Sequence, residues 1–198
     1  MNKLLIKKFF ELECFKFGSF QLKNNQISPF YINLRTIISE PKTLKIIAKL
    51  IYDTFIKTYH LECLENNEVL SICGLPYAGI PLAMFISSLY NIPILMLRKE
   101  KKNYGTKQMI EGITNKTNKV ILLDDIITSG TSINESIPYF ADLEIIDIIT
   151  IIDREQKKIS SQSYKSLFKI TEIFHFLKLA NLINKEEYDN SLGFINNN

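Results

Sequence analysis

Apolar residues recur along the chain in two distinct patterns, and each predicts a different element. From Lys42 to Tyr59, after a Glu40–Pro41 start, Leu44, Ile47, Ile51 and Phe55 return every three or four positions, the stripe of an amphipathic helix. Val69–Cys73, Ile94–Leu97, Lys119–Asp124 and Asp147–Ile152 are instead short runs with little polar interruption, which predict strands buried on both faces. Helical segments separate these runs at Ile80–Leu89 and from about Thr131 to Phe140, and two more follow at Thr171–Leu179 and Lys185–Leu192. Doubly buried strands alternating with helices predict an α/β fold with a central parallel sheet flanked by helices. Ligands of such sheets lie beyond the carboxyl ends of the strands. Gly74, Arg98, Asp124 and the pair Asp153–Arg154 all fall at those ends, so the polar signals converge on one rim.

The stretch from Arg98 to Asn118 breaks the rhythm, with many lysines, two glycines and no sustained period. A loop of that length inside a compact domain is usually functional or disordered. No repeat or Pro/Gly-rich linker divides the 198 residues, which suit one domain with a real core, and only the tail Asn196–Asn198 is expected to fray. A hydrophobic share of 46% with 23% charged residues excludes a disordered or coiled-coil chain. The net charge of +3 is too mild to suggest a nucleic-acid partner. Cys14, Cys63 and Cys73 have no metal or redox spacing and read as reduced, buried thiols of a cytoplasmic protein. The opening MNKLLIKKFFELECFKFG carries charges throughout, which argues against a signal peptide or membrane anchor. His60 and His175 lack a partner at ligand spacing and read as packing or surface residues.

Of the 24 basic residues only Arg35, Arg98 and Arg154 are arginines. Arginine offers a rigid planar fork that lysine lacks, so three arginines in a lysine-rich chain are candidates for geometric roles. For Arg35 the preferred role is a structural or subunit-interface ion pair. The densest signal lies between Val120 and Ser132. A strand ends in Asp124 and Asp125, and Thr128-Ser129-Gly130-Thr131-Ser132 then opens a helix with small, hydroxyl-bearing residues. Backbone N–H groups at a helix start favour an anion, and Gly130 permits close approach or a positive φ. The carboxylates can accept hydrogen bonds from a ribose diol. Together they suit a phosphorylated ribose.

This segment resembles the 13-residue signature of the type I phosphoribosyltransferases, and the likeness extends over most of the chain toward the orotate phosphoribosyltransferases. Four further blocks carry it: FGSFQLK at residues 17–23 with SPFYINLR at 28–35, CGLPYAGIP at 73–81, RKEKKNYG at 98–105, and IDRE at 152–155. The resemblance implies a single phosphoribosyltransferase domain over residues 1–198, with a small N-terminal hood over about 1–40, a core over about 42–155, and a C-terminal strand and helices over 156–198. It implies Mg²⁺-dependent transfer from 5-phospho-α-D-ribose 1-diphosphate (PRPP) to orotate, giving orotidine 5′-monophosphate and diphosphate for UMP synthesis. Arg98, Lys99, Lys102 and Tyr104 would form a mobile catalytic loop over PRPP. Lys23, Tyr77 and Ala78, with Asp124, Asp125, Ile126, Ile127, Thr128, Ser129, Gly130, Thr131 and Ser132, would complete the PRPP site. Tyr31, Ile32, Thr128 and Arg154 would hold orotate. No protein ligand is assigned to the metal, which would arrive with PRPP near Asp124 and Asp125. A homodimer with shared sites is implied, without nucleic-acid or membrane partners.

The chain also departs from many bacterial relatives. Ala78 replaces a lysine, Asn24–Asn25 replaces Ser-Gly, and Tyr104 replaces a histidine. These changes resemble the eukaryotic-type form, often fused to orotidylate decarboxylase, which here would be a separate protein. The readings left open are a purine-specific member of the fold and a non-catalytic PRPP-sensing regulator that binds nucleic acid.

Overall fold

The structure is a computed structural model, and it describes residues 2–22, 25–100, 108–156 and 163–197. Strand β6 (Lys119–Ile127) shows how the centre is built. Its side chains alternate: Val120 and Leu122 enter one core cluster, Ile121 and Leu123 another, and all four are fully buried. A strand apolar on both faces must be covered on both. It lies between β3 (Leu70–Gly74) and β7 (Glu144–Asp153), with β4 (Ile94–Leu97) beyond β3 and β8 (Lys165–Lys169) beyond β7, all parallel. The short β5 (Ile110–Glu111) runs antiparallel at the β4 edge, giving the order β5-β4-β3-β6-β7-β8. The α/β fold and parallel sheet expected from the apolar runs are therefore present. Within Arg98–Asn118, expected as irregular, β5 and a 3₁₀ turn at Thr114–Lys116 add structure beyond the sequence reading.

Helices α2 (Pro41–Ile51) and α4 (Gly79–Tyr90) cover one face, while α5 (Thr131–Ser136) contributes to the other. The helix expected over Lys42–Tyr59 is interrupted by a π turn at Tyr52–Ile56 and continues as α3 (Lys57–Glu65). The wider turn keeps both Tyr52 and Ile56 buried, with the Tyr52 ring stacked on Tyr90 at 3.4 Å. The helix expected from Thr131 to Phe140 is α5 alone, because Pro138 closes it into a 3₁₀ turn. Helix α1 (Lys3–Glu11) was not anticipated, although Leu5, Ile6 and Phe9, all buried, have helical spacing.

Both chain ends build the hood. The antiparallel pair β1 (Phe15–Gln21) and β2 (Ile27–Ile32) packs Phe30 edge-on against Phe174 of α6 (Ile170–Leu179) and Phe194 of α7 (Lys185–Asn196). Helix α7 continues to Asn196, one residue into the tail expected to fray.

Two glycines let the loop after β3 lie flat on the sheet. A β-carbon on Gly74 would overlap the Gly79 backbone, and one on Gly79 would overlap the Leu123 carbonyl oxygen beside Asp124. Neither obstacle is a flexible side chain. Gly79→Ala is therefore expected to cost about 3 kcal/mol, the upper range for overpacking. That corresponds to a fall of roughly 6–12 °C in the thermal midpoint for a chain of this size. An unchanged midpoint by circular dichroism would contradict the close approach.

Candidate active site

The carboxyl ends of β3, β4, β6 and β7 meet where the sequence signals converged. Asp124 and Asp125 stand half-buried near the end of β6. Each accepts the backbone N–H of the following residue, Asp124 Oδ1 from Asp125 and Asp125 Oδ1 from Ile126, both at 2.9 Å. Burial, followed by the neighbouring Asp125 charge, pushes the Asp124 carboxyl well above the usual carboxylate range, and burial also raises Asp125. The positive charge of Arg35 partly offsets both shifts. Arg35 itself is exposed and makes no ion pair within this chain among the described residues.

A carboxyl raised in the folded state adds stability below its unfolded pKa and loses it as pH rises through the folded value. At neutral pH the dyad therefore destabilises the free protein. Asp124→Asn is expected to raise the thermal midpoint at pH 7, with the gain shrinking toward pH 4. A midpoint equally shifted at both pH values would refute this.

Beyond the dyad, Gly130 adopts φ 78° and opens α5, and Ser129 Oγ and Thr131 Oγ1 lie 2.8 Å apart. Helix α5 has only six residues. Its dipole is correspondingly small, so what this turn can offer an anion is backbone N–H groups and hydroxyls rather than a long helix. The loop Leu75–Ala78 lies alongside, with the Leu75 N–H donating to Leu123 O at 2.8 Å and the Gly79 N–H to Leu75 O at 3.1 Å. Tyr77 is exposed, and Lys99 Nζ sits 5.2 Å from its ring centre, joining the β3 and β4 loops. Ala78 is buried and offers only backbone there.

Arg98 and Arg154 occupy the flanks. Arg98 donates through Nε to Glu111 Oε1 at 2.6 Å and also through Nη2, so its fork is already held by β5. Arg154 is buried, which lowers its pKa, and its backbone N–H donates to Ile127 O at 3.0 Å, beside Thr128. Its Nη2 donates to Ser28 Oγ at 3.0 Å. Asp153 sets the turn, accepting the Glu155 N–H at 2.7 Å and the Tyr164 hydroxyl at 2.9 Å. Tyr31 and Ile32 face opposite sides of β2: Tyr31 is exposed beside Phe20, while Ile32 packs toward the core. Both side chains therefore cannot flank one ring from the same side. Lys23, Lys102 and Tyr104 lie outside the described residues. His60 and His175 pair with Tyr52 and Tyr188, and the three cysteines are free and buried, as the spacing suggested.

Residues 35–181 match the family model described as "Phosphoribosyl transferase domain". The chain is 35% identical over 183 residues to an orotate phosphoribosyltransferase of Caenorhabditis elegans, covering 91% of this chain and 78% of that protein. The chain belongs to the orotate phosphoribosyltransferase family. It is also 38% identical over 156 residues to the bovine uridine 5′-monophosphate synthase, matching 77% of this chain but 31% of that protein. Among solved structures, the Francisella tularensis orotate phosphoribosyltransferase superposes with a TM-score of 0.69 over 98% of this chain and 94% of that one, at 24% identity.

Two pairings around the site were not marked in the sequence. Glu111 holds Arg98 across a β-hairpin. Ser28 meets Arg154 from 126 positions away. No local pattern marks such pairs. Among the described residues no cluster of three or more His, Cys, Asp or Glu can cage a metal, and no helix is long and apolar enough to cross a membrane.

Proposed function

We propose that the chain transfers the phosphoribosyl group of PRPP to orotate, releasing diphosphate and orotidine 5′-monophosphate in pyrimidine synthesis. The observation that carries this reading is Arg154. Its buried, preorganised fork sits at the end of β7, bonded through its own N–H to the end of β6 just before the ribose-phosphate loop. A planar fork beside that loop suits a carboxylated pyrimidine edge.

In the reaction the C1–O bond to diphosphate breaks and a bond from an orotate ring nitrogen to C1 forms. That nitrogen is already ionised in this proposal, so no strong base is required. The protein holds both partners in line and neutralises the departing charge. Thr128–Ser132 would cradle the 5-phosphate, and Asp124 and Asp125 would accept from the ribose hydroxyls. Arg98, Lys99, Lys102 and Tyr104 would face the diphosphate, with Lys23, Tyr77 and the backbone at Ala78. Tyr31, Thr128 and the backbone at Ile32 would line the orotate side.

Mg²⁺ carried by PRPP would lie near the dyad, since two adjacent carboxylates raised by burial are relieved by a cation. Bound with PRPP, it supplies charge neutralisation on the diphosphate. A homodimer is part of the proposal, supported by the exposed Ile46 and Met84 on the mutually packed helices α2 and α4. A cytoplasmic setting and a separate orotidylate decarboxylase as the consumer of the product complete it. Loss of orotate absorbance on adding PRPP and Mg²⁺ tests the reading. Turnover of adenine or guanine but not orotate would replace it with a purine enzyme.

A further inference from the structure

The Arg154 guanidinium is gripped by residues to which the reaction assigns nothing. It lies over the Phe30 ring at 4.9 Å and 6.0 Å from the Phe194 ring centre. Its Nη2 donates to Ser28 Oγ at 3.0 Å, while the Ser28 hydroxyl donates onward to Phe30 O at 2.7 Å. The serine proton is therefore committed, and its lone pair faces the arginine. Arg154 Nε has no partner among the described residues, although the side chain is only 8% exposed. A buried donor left unmade costs free energy until an acceptor arrives.

These supports come from both ends of the chain. Ser28 and Phe30 belong to β2, and Phe194 belongs to α7, whose start is set by the Asn184–Glu187 capping box. The turn carrying Arg154 is tied to the same layer, because Glu155, at φ 56°, accepts the Thr171 N–H at 2.9 Å at the start of α6. Aromatic faces attract a guanidinium without offering it an acceptor. They can fix its plane and exclude water while leaving N–H donors free for a ligand.

We propose that Phe194, with Phe30 and Ser28, forms a clamp that orients Arg154 toward the orotate carboxylate. These are positioning residues that act through Arg154, and the proposal rests on the assignment of Arg154 to orotate. The C-terminal helix is on this view a working part of the base site rather than only a lid on the hydrophobic core.

Steady-state kinetics of the full chain with PRPP, Mg²⁺ and orotate test it. Phe194→Leu keeps an apolar side chain but removes the ring, and is expected to raise the orotate KM about fivefold. The PRPP KM should stay within about twofold, and Phe194→Tyr should restore the parent value. In an Arg154→Ala background Phe194→Leu should add nothing. An unchanged orotate KM, an equal rise in both KM values, or an undiminished effect without Arg154 would overturn the clamp. Should Phe194→Leu fail to fold, Ser28→Ala carries the test, with a selective rise in orotate KM supporting the clamp and an unchanged one overturning it. A parent-level orotate KM in Arg154→Ala would instead remove the underlying assignment of Arg154.

Discussion

Replacing Lys102 by alanine is expected to lower kcat for orotate by about 10²–10³-fold, the usual cost of one preorganised group on a developing anion. The departing diphosphate gathers negative charge as the C1–O bond opens, and cations must meet it there. The residues flanking the loop sharpen this expectation. Arg98 already gives its fork to Glu111, and Lys99 leans on the Tyr77 ring. The Arg98 charge is thus partly neutralised by a carboxylate, which leaves more of the task to the lysines that follow. Initial rates at saturating PRPP and orotate measure the effect. A parent-like rate would take the loop out of the mechanism.

Arg154→Ala is expected to reduce kcat/KM for orotate by roughly 10- to 150-fold, from the ~1.5–3 kcal/mol of one charge-assisted hydrogen bond. The fall should appear in orotate usage, with the PRPP KM near its parent value, because the dyad lies in β6 and Thr128–Ser132 follow that strand, away from the Arg154 side chain. Arg154→Lys should recover little, since a lysine ammonium cannot reproduce the planar fork or its stacking on Phe30. Substrate-saturation curves for both substrates decide the matter. Equal losses for PRPP and orotate would place Arg154 in general stability rather than in base recognition.

Different parts of the molecule were legible in the sequence to different degrees. The runs Lys119–Asp124 and Asp147–Ile152 were readable as doubly buried strands because burial on both faces leaves no polar alternation. Their true lengths were not, since β6 extends through the polar dyad to Ile127. There the ladder to β7 still pairs Asp124 with Thr150, so backbone bonding overrides the polar side chains. The π turn at Tyr52–Ile56 was hidden for a related reason. It follows from packing against Tyr90, a contact between separate helices.

The sequence by itself determined the parallel α/β architecture, the small-residue turn after β6 and the rim on which the polar residues gather. Each of these is local, arising from the period of apolar residues or from chain chemistry over a dozen positions. Tertiary structure alone decided who meets Arg98 and Arg154. Glu111 reaches Arg98 across the antiparallel β4–β5 edge pair. Arg154 is set by Ser28, Phe30 and Phe194 from opposite ends of the chain. Such pairings depend on long-range closure of the hood onto the sheet, which no spacing along the chain encodes. The Val120–Ser132 segment therefore carries the chain-local half of the proposed site, while the closure of the hood onto the sheet sets the surroundings of Arg154.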